Sequence, residues 1–399
     1  MSIMVEKAVI IGESAVIRLC TARCVGAAGY SVDIIRIGRK KGRYLKTPDY
    51  YSKYVDKYYY YDETVGISLS DFLIQRYPKS NQKPVLFTLG DKTTYLVDKE
   101  RIILKDYFLF AHLRKDGSLS VLMDKHLMKK EAESVGLSVV KGWPIDFDGV
   151  GFTVPDNILY PCFVKGRYSY WNSKRIQKKC DNREDLASLI QLCKTVYPHS
   201  LYAEEYVDVE KEMGIMGICD GERCVIPAET ELVVMGEGSS HGVSILGCVK
   251  PLDKGGSLKT IIEDLLCKLG YRGIFNIDFI VTNNNVYFVE MNLRFATYGY
   301  GIFKSGINIP ALFVRVLDNT KVLDDGSFGT IDNQHYYLNE EVAFNSIIER
   351  KLSLKKYKEI KKRASIFFVQ SADDPSPMIH LRRWFIIKYL VMLINQIKK

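Results

Sequence analysis

No C-x-x-C pair occurs anywhere in these 399 residues, and the nine cysteines are an odd number. Neither a disulfide framework nor a zinc site of ordinary spacing is expected from that pattern. Cys20 and Cys24, four apart on one helical face, read as small core residues. The first strand ends in a single glycine, Gly12, where a dinucleotide fold would show G-x-G-x-x-G, which speaks against NAD. No run of basic residues interleaved with aromatics marks a nucleic-acid surface, and no Cys–His or Ser–His constellation offers a nucleophile. The opening stretch, MSIMVEKAVIIG, has too short an apolar run for a signal peptide. The apolar run near the C-terminus, interrupted by Lys388, is shorter than the roughly 20 residues of a membrane span. A cytoplasmic protein is expected.

What is present is ordinary in bulk. Apolar residues make up 47% and charged residues 26% of a chain long enough for two or three domains. The net charge of +9 fits anionic ligands such as nucleotides, and equally fits basic tails.

The informative stretch is 269–310. It predicts two strands, 273–281 and 286–294, around an Asn-rich turn. In the first, Phe275, Ile277 and Phe279 alternate with Asn276 and Asp278. In the second, Phe288, Glu290, Asn292 and Arg294 fall on one face and Tyr287, Val289 and Met291 on the other. Burying such polar groups costs several kcal/mol, on the order of 2–7 each, unless they are paired or bound to a metal. Asp278 and Glu290 supply hard anionic oxygens and Asn292 a neutral one, a set that suits Mg²⁺, with Mn²⁺ as its substitute. Arg294 has the fork to hold a phosphoryl oxygen. A polar, solvated sheet edge is the competing reading. Asp278 can face Glu290 only across an odd loop or a bulge; with four loop residues it would face Met291.

The string D-x(11)-E-x-N-x-R, here Asp278, Glu290, Asn292 and Arg294, resembles the metal and phosphate motif of the ATP-grasp superfamily. Other matches follow in order. Asp124-Lys125, with a second lysine four residues on, resembles the start of the nucleotide domain, where Lys125 would reach an ATP phosphate. The segment 161–166 resembles a P-x-x-V-K-P strand end whose lysine, Lys165, would hold the α-phosphate side. The loop after it has Tyr168, Tyr170 and Trp171 in place of several glycines, with Ser173 and Lys174 as remaining phosphate contacts. Segment 202–207 resembles the hinge strand, with acidic Glu204 followed by the main chain of Glu205 and Val207 at the adenine edge; Glu212 would take a ribose hydroxyl.

Three further residues are substrate candidates. Asp91 closes a T-L-G-D strand end, where open α/β sheets bind ligands, although a capping role explains it equally. His241 lies in a GEGSSHG loop, and Asn308 in an S-G-x-N-x-P turn. Together with G-Y-x-G-x-x-N-x-D at 270–278, these features resemble carboxylate–amine ligases of the D-aspartate ligase type. The resemblance implies an α/β (α+β) fold: a Rossmann-like pre-ATP-grasp domain at 1–115, then an ATP-grasp domain at 116–335 with a nucleotide lobe (116–207) and a metal and substrate lobe (208–335). It implies ATP and Mg²⁺ as cofactors, Arg294 and Lys174 as catalytic residues, and small amino-acid-like carboxylate and amine substrates. Residues 336–399 read as a basic helical tail. Its stripe of Phe385, Tyr389, Met392 and Leu393 predicts docking on the domain or on a second subunit, a homodimer; contact with a membrane surface is the less favoured alternative.

Overall fold

The computed structural model describes residues 5–38, 46–114, 117–171, 176–237, 243–252, 256–283, 285–318, 323, 328 and 331–397. Three short, largely aliphatic runs and one run of tyrosines form a parallel sheet at the start of the chain: β1 (Lys7–Gly12), β2 (Ser31–Gly38), the tyrosine strand β3 (Lys57–Asp62) and β4 (Val85–Thr88), in the order β3-β2-β1-β4. Helix α1 (Ala15–Ala27) makes the first crossover, and Cys20 and Cys24 on it are fully buried, as their spacing suggests. Ser68 accepts the Asp71 amide and caps α2 (Leu69–Arg76). Beyond β4, the glycine of the T-L-G-D end precedes α3 (Asp91–Lys99), which a short α4 (Arg101–Leu104) follows.

A second sheet lies in the middle of the chain. After β5 (His112–Leu113), Asp124 caps α5 (Lys125–Ser134) by accepting the amides of His126 and Leu127. Strands β6 (Gly142–Phe147), β7 (Phe152–Thr153), β8 (Cys162–Gly166) and β9 (Lys178–Cys180), helix α6 (Arg183–Val196) and strand β10 (Leu201–Glu205) follow. The sheet runs β7-β6-β10-β8-β9 and has its own core around Trp143, Val164 and Leu189.

The third sheet is the largest. Its long antiparallel strands are β11 (Lys211–Asp220), β12 (Cys224–Met235), β13 (Ser244–Pro251), β14 (Tyr271–Val281) and β15 (Val286–Asn292), with α7 (Ser257–Leu269) between β13 and β14. Helices α8 (Gly299–Lys304) and α9 (Ile309–Leu317) lead to β16 (His335–Leu338), α10 (Glu340–Ile348), α11 (Leu354–Arg363), β17 (Ile366–Phe367) and α12 (Ser376–Ile397). The order is β15-β14-β11-β12-β13-β16-β17, and β5 pairs with β14. One face packs on α5 and α7 through Ile215, Phe275, Ile277 and Phe279. Residues of the other, among them Met216 and Val249, share a core with α1 and α9.

Residues 336–399 are therefore not a purely helical tail. Tyr337 pairs with Gly247 and with Ile366, so the segment completes the large sheet. It is also clamped to the first domain: Arg23 donates to Asp374 at 2.9 Å and to the carbonyls of Phe368 and Val369. A buried guanidinium needs such saturation, because an unpaired buried charge costs several kcal/mol. The first half of the expected stripe of α12 faces protein. Phe385 stacks on Phe344 at 4.2 Å, Tyr389 packs against the same core, and Met392 and Leu393 are half-buried. The segment between β2 and β3 meets α12 as well, with Tyr51 stacked on His380. Among the described residues, no helix is long and apolar enough to cross a membrane.

Candidate active site

The pair β14–β15 carries the acidic centre. From the turn, Val281, Ile280 and Phe279 oppose Val286, Tyr287 and Phe288 in step; the register then slips, and Asp278 faces Glu290 and Asn276 faces Asn292. The bulge absorbs Val289. It also sends Phe288 into the core beside Met291 and Leu293, so Phe288 does not share the face of Glu290 as strict alternation suggests. The displaced Phe288 amide donates to the Ser138 carbonyl at 2.8 Å.

Two carboxylates directly opposed repel each other, and the structure divides their roles. Burial, with the neighbouring Glu290 charge, pushes Asp278 up to about 7. The Lys125 ammonium, 3.1 Å away, holds Glu290 down at about 2. The Asn276 and Asn292 amides donate to the two oxygens of Asp278 at 3.2 and 2.9 Å. Asp278, Glu290 and Asn292 thus present clustered hard oxygens with an excess of negative charge, a donor set that fits Mg²⁺. Across the sheet Asp278 opposes Gly214, and Tyr298 fills the space above that glycine, where a Cβ would come within 2.6 Å of its hydroxyl.

Arg294 follows on the same face but is already engaged. Its Nε donates to Asp91 Oδ1 at 2.7 Å and its Nη2 to Oδ2 at 3.3 Å. Asp91, at the first turn of α3, therefore pairs with Arg294 across two sheets. Asn308 is likewise spent on structure. Its side chain caps α9 by accepting the Ala311 amide and donates to the Cys24 carbonyl at 2.7 Å, which gives it a structural part at this turn. Lys174 and His241 lie outside the described residues.

The second sheet supplies the cations. Lys165 on β8 and Lys129 on α5 converge on one buried carboxylate, Glu204 of β10, with Lys165 at 2.9 Å. Although burial opposes it, the two lysines keep Glu204 below its ordinary value, while burial draws Lys129 down to about 8. Lys129 is the second lysine of the D-K-x(3)-K pattern; sequence reasoning misses its role because one helical turn from Lys125 it reads as a surface residue. Glu204 is a counter-charge for the lysines more than an adenine contact. On the ATP-site reading of the sequence, Lys165→Ala should weaken ATP binding by about 1–3 kcal/mol, the scale of a charge-assisted hydrogen bond, with the fold kept because Lys129 still pairs Glu204. Calorimetry showing unchanged ATP affinity would return Lys165 to a structural role.

The hinge and the loop complete the surroundings. The Glu205 and Tyr206 amides donate to the carbonyls of Lys141 and Pro161 and fix the chain leaving β10. Val207 lines a cavity of about 340 Å³ with Asp208, Asn285 and Tyr287. Ile280 and Glu212 are register partners two positions along from Asp278 and Gly214, so Glu212 stands on the acidic face, exposed. The loop after Lys165 folds back on α5: Ser169 accepts from Lys125 Nζ at 2.9 Å, and Arg167 pairs with Asp124. Its aromatic residues form a ladder in which Tyr170 stacks on Tyr95 of α3 at 4.0 Å and Trp171 on His199 at 4.1 Å. Stacking takes the place of glycine-rich flexibility there. Tyr170→Ala removes its ring contacts with Tyr95, Tyr168 and Trp171, about 0.5–1.5 kcal/mol each, and on the ATP-site reading of the sequence should raise the KM for ATP about tenfold or more with little change in kcat. An unaltered KM would show that the ladder does not order the loop.

No family model matches the sequence. The arginine-specific large chain of carbamoyl phosphate synthase from Bacillus subtilis is 27% identical over 181 residues, 44% of this chain and 17% of that one. The chain thus spans about a sixth of the length of that relative. Among solved structures, the biotin carboxylase domain of 2-oxoglutarate carboxylase from Hydrogenobacter thermophilus, in complex with MgADP, ADP and bicarbonate, superposes with a TM-score of 0.61 at 16% identity, covering 84% of this chain and 74% of that one. The L-amino acid ligase from Bacillus licheniformis gives 0.59 at 13% identity, covering 83% and 80%.

Proposed function

From the ATP-grasp fold that the chain shares with these structures, we propose that the protein is an ATP-dependent, ADP-forming ligase that joins a carboxylate to an amine. The observation that carries this reading is the bulge that sets Asp278 against Glu290, with Lys125 on one carboxylate and the Lys129–Lys165–Glu204 cluster nearby. Phosphoryl transfer needs positioned charge more than a nucleophilic side chain. Bound at Asp278, Glu290 and Asn292, Mg²⁺ would neutralise and orient phosphate oxygens. Lys125, Lys129 and Lys165 offset the rest of the triphosphate charge, and Arg294, held by Asp91, steadies the phosphoryl group in transit. A carboxylate oxygen takes the γ-phosphoryl group and ADP leaves. The amine nitrogen then attacks the acyl carbon, phosphate departs with the C–O electron pair, and the nitrogen gives up a proton as the amide forms. The purine would sit toward Val207 and Tyr287, at the hinge end of the acidic face. Cytoplasmic placement and amino-acid-like substrates belong to this reading, as does the narrower likeness to D-aspartate ligases.

A carboxylase reading uses the same ATP site, and the bicarbonate in the complex of the Hydrogenobacter domain favours keeping it. ADP release measured over a panel of amino acids and carboxylates separates the two. Release that needs both a carboxylate and an amine supports the ligase. Release driven by bicarbonate alone supports carboxylation, and no release with any pair overturns both.

A further inference from the structure

Three thiols meet far from the acidic centre. Cys219 is the next-to-last residue of β11 and Cys224 opens β12, and the two are cross-strand partners. Cys267, in the last turn of α7, swings over the hairpin and donates its thiol hydrogen to the Glu222 carbonyl at 3.0 Å. All three sulfurs lie within 4.8 Å of one another. In sequence they are C-x₄-C and a distant third cysteine, which is why spacing alone speaks against a metal site. The topology of the sheet overrides that.

The Gly221 amide donates to Cys219 Sγ at 3.4 Å. The hairpin turn is held from outside, since Arg114 donates to the Gly221 carbonyl at 2.9 Å. Cys219 and Cys224 are buried and Cys267 is partly exposed, so one side of the triangle opens toward solvent.

We propose that Cys219, Cys224 and Cys267 bind one thiophilic d¹⁰ cation of the Zn²⁺ class, with the fourth position open on the Cys267 side to water. Zn–S bonds of about 2.3 Å place sulfurs around one tetrahedral ion about 3.8 Å apart, so the observed triangle closes with small rotamer changes. Soft thiolates favour such an ion over Mg²⁺. Binding forms three S–metal bonds and releases the thiol protons to buffer; no oxidant is needed. A Cys219–Cys224 disulfide would use two of the sulfurs and leave the third convergent one unexplained. The site is separate from the acidic centre: Cys219 lies five residues along β11 from Gly214, about 17 Å at the usual strand rise, and on the opposite face. An ion here would staple the β11–β12 hairpin to the end of α7.

The test is titration of the full, reduced, chelator-stripped chain with Cd²⁺, a spectroscopic probe for a thiolate site. A sulfur-to-cadmium charge-transfer band that saturates at one ion per chain, yields to Zn²⁺ and ignores excess Mg²⁺ is expected. Cys267→Ala, a partly exposed position at the end of a helix, should lose the band while the far-ultraviolet circular dichroism is unchanged. Cys193→Ala, in the core of the other lobe, should keep it. No band from the folded reduced chain, or a band that survives Cys267→Ala, overturns the proposal.

Discussion

Glu290→Gln is expected to abolish ADP formation while leaving the fold in place. Glutamine keeps the volume and one oxygen, so β15 and its bulge need not move. What goes is the charge held ionised by Lys125, which draws the glutamate down to about 2. Stability should change by no more than about 1 kcal/mol, because the loss of the Lys125 pair is offset by relief of repulsion with Asp278. Asp278, freed of a like charge, becomes the more acidic and ionises at lower pH. The remaining oxygens then present one negative charge where two stood, and affinity for a divalent ion depends steeply on that number. Two measurements check this. Thermal melting should match the parent chain, and ADP release should be absent at every Mg²⁺ concentration that saturates the parent. Near-normal turnover of the variant at limiting Mg²⁺ would sink the metal assignment.

The acidic centre is legible because its chemistry is written in strand alternation. Glu290, Asn292 and Arg294 are too polar for a structural strand, and Asp278 can join them only through a bulge, which is what the register shows. The same reasoning misplaces Phe288, since a bulge inverts alternation for every residue on its far side. The buried cations are half legible. Lys165 stands at a strand end with a glycine after it, whereas Lys129 looks like any exposed lysine until Glu204 is brought over it by the pairing of β10 with β8. Asp91 and Asn308 look, locally, like contacts for a substrate. Their partners, Arg294 and Cys24, are some 200 and 280 residues away in the chain, and no local pattern announces such a pairing. The thiol triangle fails the spacing rule for the same reason: topology, not sequence separation, sets which side chains meet.

Glu204→Gln tests the second half of the site, and its effect depends on pH. The folded chain holds Lys129 at about 8, below the ordinary 10.5. Between those values the unfolded chain keeps the proton and the folded chain does not, so stability rises with pH across that window. Below it both states are charged and the cost of burying the ammonium is constant. Glu204 lowers that cost by standing between Lys129 and Lys165. Without its charge two ammoniums face each other in a buried setting, and a loss of about 3–5 kcal/mol at neutral pH is expected, the scale for a buried pair that loses one partner with no like-charge repulsion relieved in exchange. Lys129 should then titrate lower still, so the deficit relative to the parent is largest at pH 6 and shrinks as the pH climbs toward 8. ATP carries the missing negative charge in its phosphates. It should therefore raise the urea midpoint of the variant more than that of the parent. Urea unfolding at pH 6 and pH 8, with and without ATP, reads all of these quantities. An equal deficit at both pH values, together with no extra stabilisation by ATP, would mean that Glu204 is only a strand residue and that the two lysines do not share a phosphate site.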